Sequence, residues 1–342
     1  MDFLGLVLKY RVNRSLTQQE VKCHLRQGER LEVQPHYQLC VVKMNATFLE
    51  SVDKWFGWKG LLSAMACLII AFFSISFLVM LYTTITISPD LRSREDGLII
   101  LIVVAAMFIP FIGWAIWILK KDSFAYTHYP IRFNRITKMV YVFRTNGSIL
   151  EVPWGQIYFT LGHLRLWNEW EIQGHILEED NVTIRETFPL SYVGTLSASD
   201  VKWGHRRCSS DDFLRAHWEF IRRFMEEGPQ EVSEQVQFCM PISTSRERFN
   251  VGAERIFANF AGAPFPIYWM MFPFCFVVSL FRSLAMRTSK IPQWPKEVEA
   301  ECIIYPDDPY AIEGTLDGER VSIFPSAASA AGVRFSPPSK RI

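Results

Sequence analysis

Two uncharged apolar runs, Gly60–Tyr82 and Gly97–Leu119, constrain this chain more than any other feature. Neither run contains Asp, Glu, Lys, Arg or His. A helix of about 23 residues is ~34 Å long, which is enough to cross the hydrocarbon core of a bilayer. One charge at mid-span would cost roughly 2.5–3.5 kcal/mol, which explains why charges are excluded. A pair of buried core helices is the alternative, but the sequence favours a two-helix transmembrane hairpin.

The charge of the chain is balanced overall but uneven around the hairpin. Its 342 residues carry a formal net charge of +1, which argues against bulk binding to nucleic acid. Basic residues flank the outer ends of the hairpin: Lys54, Lys59, Lys120 and Lys121. The loop between the runs carries Arg92 and Arg94 together with three acidic residues. Because Lys and Arg near span ends set the orientation, we predict that both termini are cytoplasmic.

Aromatic and basic side chains cluster just outside the apolar runs. A Trp ring or a long Lys side chain has an apolar body and a polar end, so it suits the headgroup layer. We therefore predict five membrane-interface anchors: Trp55, Trp58, Lys59, Lys120 and Lys121.

The sequence carries no recognisable catalytic or metal-binding motif. HExxH, GxSxG, P-loop and GxGxxG patterns are missing, so we predict no enzymatic activity and no catalytic, cofactor-binding or metal-binding residue. The seven cysteines are scattered and never form a CxxC pair, which indicates free thiols in a reducing compartment. His205 and Cys208, beside Asp211 and Asp212, are the nearest candidates for a nucleophile and its base. A solvated polar loop explains that cluster better.

The pattern after Lys121 changes to the alternation typical of strands. Asn146–Gly147 separates two β-rich runs, which is the strongest short-range hairpin signal. Several short strands with tight turns predict an antiparallel meander that closes as a barrel or a sandwich. A helix from Ser209 or Ser210 to Gly228, acidic at its start and basic near its end, would close it. This layout resembles a pleckstrin-homology-like barrel that follows a transmembrane hairpin.

A third apolar stretch, Ile267–Phe281, is short for a membrane span. It has about 15 residues, is interrupted by Pro273, and is followed by Arg282, Arg287 and Lys290. Crossing would carry these three cations outside, against the charge rule. We predict an interfacial or re-entrant helix packed on the hairpin.

The predicted fold is therefore an integral membrane α + β protein with five parts. They are a cytoplasmic N-terminal region (1–58), the transmembrane hairpin (59–120), a cytoplasmic antiparallel β-rich domain with a closing helix (121–228), a membrane-associated segment with the interfacial helix 267–281 (229–310), and a disordered C-terminal tail (311–342).

Five side chains of the β-rich region are candidates for contact with a partner or with lipid: Arg132, Arg135, Lys138, Trp167 and Trp170. A guanidinium group binds phosphate and carboxylate through the same bidentate fork. The alternative for the arginines is a strand whose polar face is simply exposed. Trp167 and Trp170 are three residues apart on a predicted strand and so point to opposite faces, which leaves at least one of them exposed.

Several sequence blocks resemble an uncharacterised family of proteobacterial inner-membrane proteins, a domain of unknown function. The blocks are YTHYPIRFNR (Tyr126–Arg135), VYVFR (Val140–Arg144), VPW (Val152–Trp154), TFLESVDKWFGWKG (Thr47–Gly60) and RSLAMRTSKIPQWP (Arg282–Pro295). The resemblance extends from about residue 47 to residue 310. Genes of that family often lie near type VI secretion or polymorphic-toxin genes, so the resemblance implies an accessory or immunity role. It identifies no catalytic residue.

Three functions follow as hypotheses. The first is a non-enzymatic protein of the bacterial inner membrane that binds a protein partner, such as a secreted toxin or a secretion component. The second is a membrane-surface scaffold or lipid sensor with a pleckstrin-homology-like domain. The third, a membrane-bound enzyme, is disfavoured by the missing motifs. No cofactor and no nucleic acid are expected.

Overall fold

A computed structural model describes residues 3–38, 40–86, 94–164, 169–190, 210–236, 239–258 and 265–314. The helices in these ranges are α1 (Gln18–Lys22), α2 (Leu61–Thr86), α3 (Arg94–Ser123), α4 (Ser210–Glu226), α5 (Gln230–Ser233), α6 (Phe249–Ala258), α7 (Phe265–Thr288) and α8 (Lys296–Glu301). The strands are β1 (Arg14–Ser15), β2 (His24–Leu25), β3 (Val41–Met44), β4 (Phe48–Ser51), β5 (Ile131–Asn134), β6 (Met139–Phe143), β7 (Ile149–Pro153), β8 (Ile157–Leu164), β9 (Glu169–Leu177), β10 (Thr183–Pro189) and β11 (Ile312–Glu313). Trp167, His205, Cys208 and nearly all of the predicted C-terminal tail lie outside the described residues.

Two antiparallel sheets and the helix α4 form what we call the β body. One sheet has the strand order β1-β10-β9-β8-β2 and the other has the order β11-β3-β4-β5-β6-β7. Their inward side chains and those of α4 share one apolar core. Trp154 stacks on Trp218 of α4 with ring centroids 5.6 Å apart, and Phe159 packs against both rings. The antiparallel β fold with a helix packed on it is confirmed.

Local sequence signals set several element ends, and those at Gly147 and Gly228 are as predicted. Gly147 adopts a φ of +87° in the turn between β6 and β7, where its amide donates to the Arg144 carbonyl. Gly228, with a φ of +103°, follows the end of α4. Thr17 and Glu20 form the capping box of α1. That helix ends at Lys22, because the next residues form β2 on the edge of β8.

The N-terminal residues are part of the β body, which differs from the predicted separate region 1–58. β4, which precedes α2, pairs with β5, which follows α3, and Ser51 lies opposite Ile131. β1 pairs with β10, and β2 pairs with β8. The chain after residue 228 also returns to the sheets, because Ile312 of β11 pairs with Met44 of β3. The predicted regions therefore share strands, and α2 and α3 are an insertion between two paired strands.

Three helices of the described chain are long and apolar enough to cross a membrane: Leu61–Thr86, Asp96–Ser123 and Pro266–Thr288. α2 packs against α3, and α7 packs against both. Large apolar side chains remain exposed along all three, as expected for surfaces that face lipid rather than water. The third helix is longer than the predicted stretch 267–281, because the helix continues through Pro273 and includes Arg282 and Arg287.

Candidate functional site

A network of buried polar groups lies where the apolar helices meet the β body. We call this network the junction and define it by Asp53, Lys59, Ser63, Asp122 and Ser123. The Asp122 carboxylate accepts hydrogen bonds from the Ser63 amide at 2.9 Å and from the Ser63 hydroxyl at 2.7 Å. The Lys59 ammonium donates to the carbonyl oxygen of Asp122 at 2.6 Å. The junction thereby connects the start of α2 to the end of α3.

Asp122 caps α2 although it belongs to another helix. The first amides of a helix have no partner within the helix, and the N-terminus carries a partial positive charge. Asp122 accepts from the Gly60 amide at 3.0 Å and from the Ser63 amide. A carboxylate at this position satisfies the orphan donors and complements the helix dipole.

The helix α7 docks onto the same place. Thr288 and Ser289 donate through their hydroxyls to the Ser123 carbonyl. Arg282 donates to the Phe56 carbonyl at 2.8 Å and forms a buried ion pair with Glu247 at 2.5 Å. Buried polar contacts at the junction therefore link all three apolar helices to one another.

Burial shifts the proton affinities of the groups around the junction. It raises the pKa of the Asp53 carboxyl to about 6, although the amides of Tyr129 and Trp55 donate to that carboxyl. It lowers the pKa of Lys59, against the attraction of Asp122. It also lowers the pKa of His128 to about 3. Since the acids and bases here are already partnered by protein groups, the geometry is that of a structural connection.

A buried Cys–His pair in the β body is unsuited to nucleophilic chemistry. The Cys40 Sγ lies 4.0 Å from His217 Nε2, and both side chains are buried. Burial raises the pKa of the Cys40 thiol well above its usual range and lowers the pKa of His217 to about 4. A reactive thiol needs the opposite shifts. Among the described residues, no group of three or more His, Cys, Asp or Glu side chains could hold a metal ion.

The structure places Arg132 inside the protein rather than on its surface. The guanidinium lies between the rings of Phe48 and Trp294, 4.5 and 4.8 Å from their centroids. It donates to Glu50 at 2.6 Å and is also paired with Glu299 at 3.2 Å. The predicted contact with a lipid phosphate or a partner carboxylate is therefore replaced by an internal ion pair. Little in the sequence indicated this ion pair, because Glu50 lies 82 residues before Arg132.

The other predicted contact residues have different settings. Arg135 is half-buried and donates to the Ala46 carbonyl at 2.6 Å. Lys138 is exposed and pairs with Glu226 at 3.1 Å. Trp170 is half-buried beside His163. Arg135 and Lys138 lie together at the turn between β5 and β6, whereas Trp170 belongs to the other sheet.

Two of the five predicted interface anchors are buried. Trp55 packs edge-on against Tyr129 and donates to the Leu4 carbonyl. Lys59 belongs to the junction. Trp58 and Lys121 are half-buried and Lys120 is exposed, which leaves these three available to the headgroup layer.

The turn between β5 and β6 lies at the end of the sheet away from the helices. β4 runs towards the junction and β5 runs away from it, so the Ser51–Ile131 pair is near the helices. The Phe48–Asn134 pair is at the opposite end of the same strands. Asn134 joins two segments there, because its side chain accepts from the Ile136 amide and donates to the Glu301 carbonyl at 2.7 Å.

Those two segments carry exposed apolar side chains that no sequence pattern pointed to. We call these residues the distal surface: Ile136, Ile303, Ile304 and Tyr305. Ile136 is 62% exposed, Ile303 56% and Tyr305 63%. Exposed apolar clusters with charged neighbours mark interaction sites on proteins. Exposed Lys138, Glu301 and Asp307 lie next to the distal surface in sequence.

Comparison with known families gives one assignment. The profile of a family of unknown function, DUF6708, matches residues 106–306. The chain belongs to DUF6708. No curated protein and no solved structure is significantly similar to the chain.

The DUF6708 match covers the distal surface completely and the junction only in part. It includes Asp122, Ser123 and the whole distal surface. Lys59 and Ser63 precede it, as do β1 to β4 and α2. Because β4 pairs with β5, the matched part of this DUF6708 member depends on residues outside the match to complete its sheets.

Proposed function

We propose that this DUF6708 member is a non-enzymatic, membrane-anchored protein that binds a protein partner through the distal surface. The observation that carries the proposal is the exposure of Ile136, Ile303, Ile304 and Tyr305 on two segments that Asn134 joins at the end of the β body opposite the apolar helices. Its position supports capture of a partner in solution while the helices hold the protein at the membrane.

Hydrogen bonds tie the segments of the distal surface to the sheet, which favours binding. Asp308 accepts from the Ala46 amide at 2.6 Å and so ties the segment after α8 to the turn between β3 and β4. Asn134 ties the same segment to the turn between β5 and β6. A surface held in place before binding loses little conformational entropy when the partner docks.

The distribution of basic residues supports a protein of the bacterial inner membrane whose β body lies in the cytoplasm. Exposed cations lie at the β-body ends of the apolar helices: Lys120, Arg246, Arg248, Arg287 and Lys290. The loop between α2 and α3 carries Arg92 and Arg94 with acidic neighbours. By the positive-inside rule, both termini are then cytoplasmic.

The finer proposal concerns the partner, a secreted toxin or a component of the type VI secretion machinery. It rests on the family resemblance of the sequence blocks. With the β body in the cytoplasm, the protein would act as an immunity or accessory protein against a toxin that reaches the cytoplasm or inserts into the inner membrane.

The test starts from the genes that neighbour the gene of this protein: a toxin gene among them is used in a protection assay, and a neighbourhood without one would contradict the finer proposal. We expect the full chain to restore growth of cells that express the toxin. The double variant Ile136→Asp/Tyr305→Asp should lose protection by at least tenfold in viable counts, because buried charges break an apolar contact. Val182→Asp is the matched control, since Val182 is exposed in a different turn.

Two outcomes would contradict the proposal. One is full protection by the double variant at the expression level of the wild-type protein. The other is protection only after residues 315–342 are deleted, which would assign the distal surface to the chain's own C-terminal segment.

The alternative is a lipid sensor with a pleckstrin-homology-like domain. The chain order supports this fold, because the consecutive strands β4 to β7 lie in one sheet, β8 to β10 lie in the other, and α4 follows. The arginines disfavour lipid binding, because Arg132 is buried and Arg135 lies at the end away from the helices. Loss of anionic-vesicle binding in an Arg135→Ala/Lys138→Ala variant would revive this alternative.

A further inference from the structure

The helices α6 and α7 begin and end on the side of the β body. Nine residues before α6 begins, the Met240 amide donates to the Val41 carbonyl of β3 at 2.8 Å. Just after α7, the Lys290 amide donates to the Ala125 carbonyl at 2.9 Å. Because the chain leaves the β body and returns to it, α6 and α7 together cross the membrane an even number of times.

The helix α6 runs back along α7 rather than away from it. Gly252, in the first turn of α6, lies against the Arg282 side chain near the end of α7. Phe257, one turn later, packs on Phe272 with ring centroids 5.2 Å apart and on Tyr268 at 6.3 Å. The two helices are therefore antiparallel, and the start of α7 is the part farthest from the β body.

The ten residues of α6 are too few to cross a bilayer. At ~1.5 Å per residue such a helix is about 15 Å long, half the thickness of a ~30 Å hydrocarbon core. It also contains the buried Arg255, which the ring of Phe56 covers at 4.9 Å. A complete crossing by α7 would need a second crossing before it, and α6 does not supply one.

The side of α7 that faces away from the protein is apolar, so its exposure to water is unfavourable. Met270 is 70% exposed and Trp269 is 55% exposed. This side continues the exposed apolar surface of α2 and α3, on which α7 packs. The exposed cations Arg248 and Arg287 flank the β-body ends of the pair, where the headgroup layer of an anionic membrane would meet them. Lipid acyl chains are therefore the occupant that the surface fits.

We propose that α6 and α7 form a re-entrant pair, which enters and leaves the bilayer through the face that carries the β body. Only α2 and α3 then cross the membrane, although α7 is also long and apolar enough to do so. The pair widens the contact between the β body and one leaflet, and its polar anchors Arg282, Thr288 and Ser289 hold it to the junction.

The test is thiol labelling of the full chain in cell membranes with a membrane-impermeant maleimide added from either face. The background variant replaces the half-buried Cys23 and Cys67, together with Cys208, by Ser. The cysteines left in it are buried, and the background without an added cysteine measures any residual labelling. Single cysteines are then introduced at Thr86, Val182 and Ile267, all exposed positions.

We expect the maleimide to label Thr86→Cys from one face of the membrane only and Val182→Cys from the other face only. Ile267→Cys should react from the Thr86 face at less than a tenth of the Thr86→Cys rate, because the start of α7 stays within the bilayer. Complete reaction after denaturation shows that the thiol is intact. A faster reaction of Ile267→Cys from the Thr86 face, or labelling of Thr86→Cys and Val182→Cys from the same face, would overturn the proposal.

Discussion

At the scale of single residues, Asp122 has the most demanding position in the protein. Its carboxylate caps α2, and its backbone carbonyl accepts from Lys59. We expect Asp122→Asn to lower the free energy of unfolding by about 3 kcal/mol, because an amide cannot accept from all the donors and the buried Lys59 loses the stronger of its two carboxylate attractions, which leaves only Asp53. Thermal unfolding of the detergent-solubilised protein measures this effect.

The matched control for that prediction is Asp307→Asn, at an exposed carboxylate near the distal surface. It should change stability by less than about 0.5 kcal/mol. Equal stabilities of the two variants would show that the capping contact of Asp122 contributes nothing.

A second residue-scale prediction concerns pH. Burial lowers the pKa of His217 to about 4, whereas a histidine in an unfolded chain titrates near ~6.5. Between these values the unfolded state binds the extra proton, so the free energy of unfolding falls as pH drops from about 6.5 to about 4. The groups facing the ring are the Cys40 thiol and His36, whose carbonyl lies 3.3 Å from Nδ1.

Other groups set the net slope of stability with pH. His128, with a pKa of about 3, contributes in the same direction as His217. Asp53, whose pKa is raised to about 6, binds its proton in the folded state and offsets one histidine between about pH 6 and 4.

We expect His217→Gln to reduce the slope of stability with pH by ~1.4 kcal/mol per pH unit. Unfolding curves at several pH values measure it. Cys40→Ala is the control, because it changes the surroundings of His217 but keeps the imidazole that binds the proton. An equal change of slope in Cys40→Ala would contradict the prediction.

The sequence could not show that Lys59 and Trp55 are buried. A cation and a Trp before an apolar run are typical of the headgroup layer, and Trp58 fits that interpretation. The partner that buries Lys59 is Asp122, 63 residues later, and Tyr129 covers Trp55. Such contacts depend on the whole fold.

At the scale of elements, the crossing of α2 and α7 depends on one glycine. Gly60 has a φ of +93°, and a Cβ there would meet the backbone of Arg282. We expect Gly60→Ala to destabilise the protein by at least about 2 kcal/mol, because the left-handed backbone and the clash both oppose it. Gly113→Ala in α3 is the control, since nothing lies within 4 Å of its added Cβ. The variants can be compared by thermal unfolding; similar unfolding temperatures would exclude a close crossing at Gly60.

Elements defined by local chemistry were predictable and those defined by distant pairing were not. The turn at Asn146–Gly147, the capping box at Thr17 and the apolar runs depend on neighbouring residues only. The short strands β1 and β2 have two residues each, and they exist because β10 and β8 provide an edge. No periodicity can be read from two residues, so the contribution of the N-terminus to the sheets was missed.

At the scale of the whole molecule, the apolar helices α2 and α3 interrupt the β body instead of preceding it. The ends of the insertion meet, because the hydroxyls of Ser63 and Ser123 are 2.5 Å apart. The junction therefore lets β4 and β5 pair as neighbours although the insertion separates them in sequence. Correct assembly of α2 and α3 is then a condition for completing the sheet.

This interleaving predicts the pattern of hydrogen exchange along the chain. The amides of Phe48–Ser51 and Ile131–Asn134 lie in neighbouring interior strands, so we expect equal protection governed by the same opening event. Arg14–Ser15, at the edge of the other sheet, should exchange at least tenfold faster. Exchange measured by mass spectrometry on the protein in nanodiscs tests this. If Phe48–Ser51 exchanged as fast as Arg14–Ser15 while Ile131–Asn134 stayed protected, the N-terminal residues would form an independent region and β4 would not be an interior strand of the sheet.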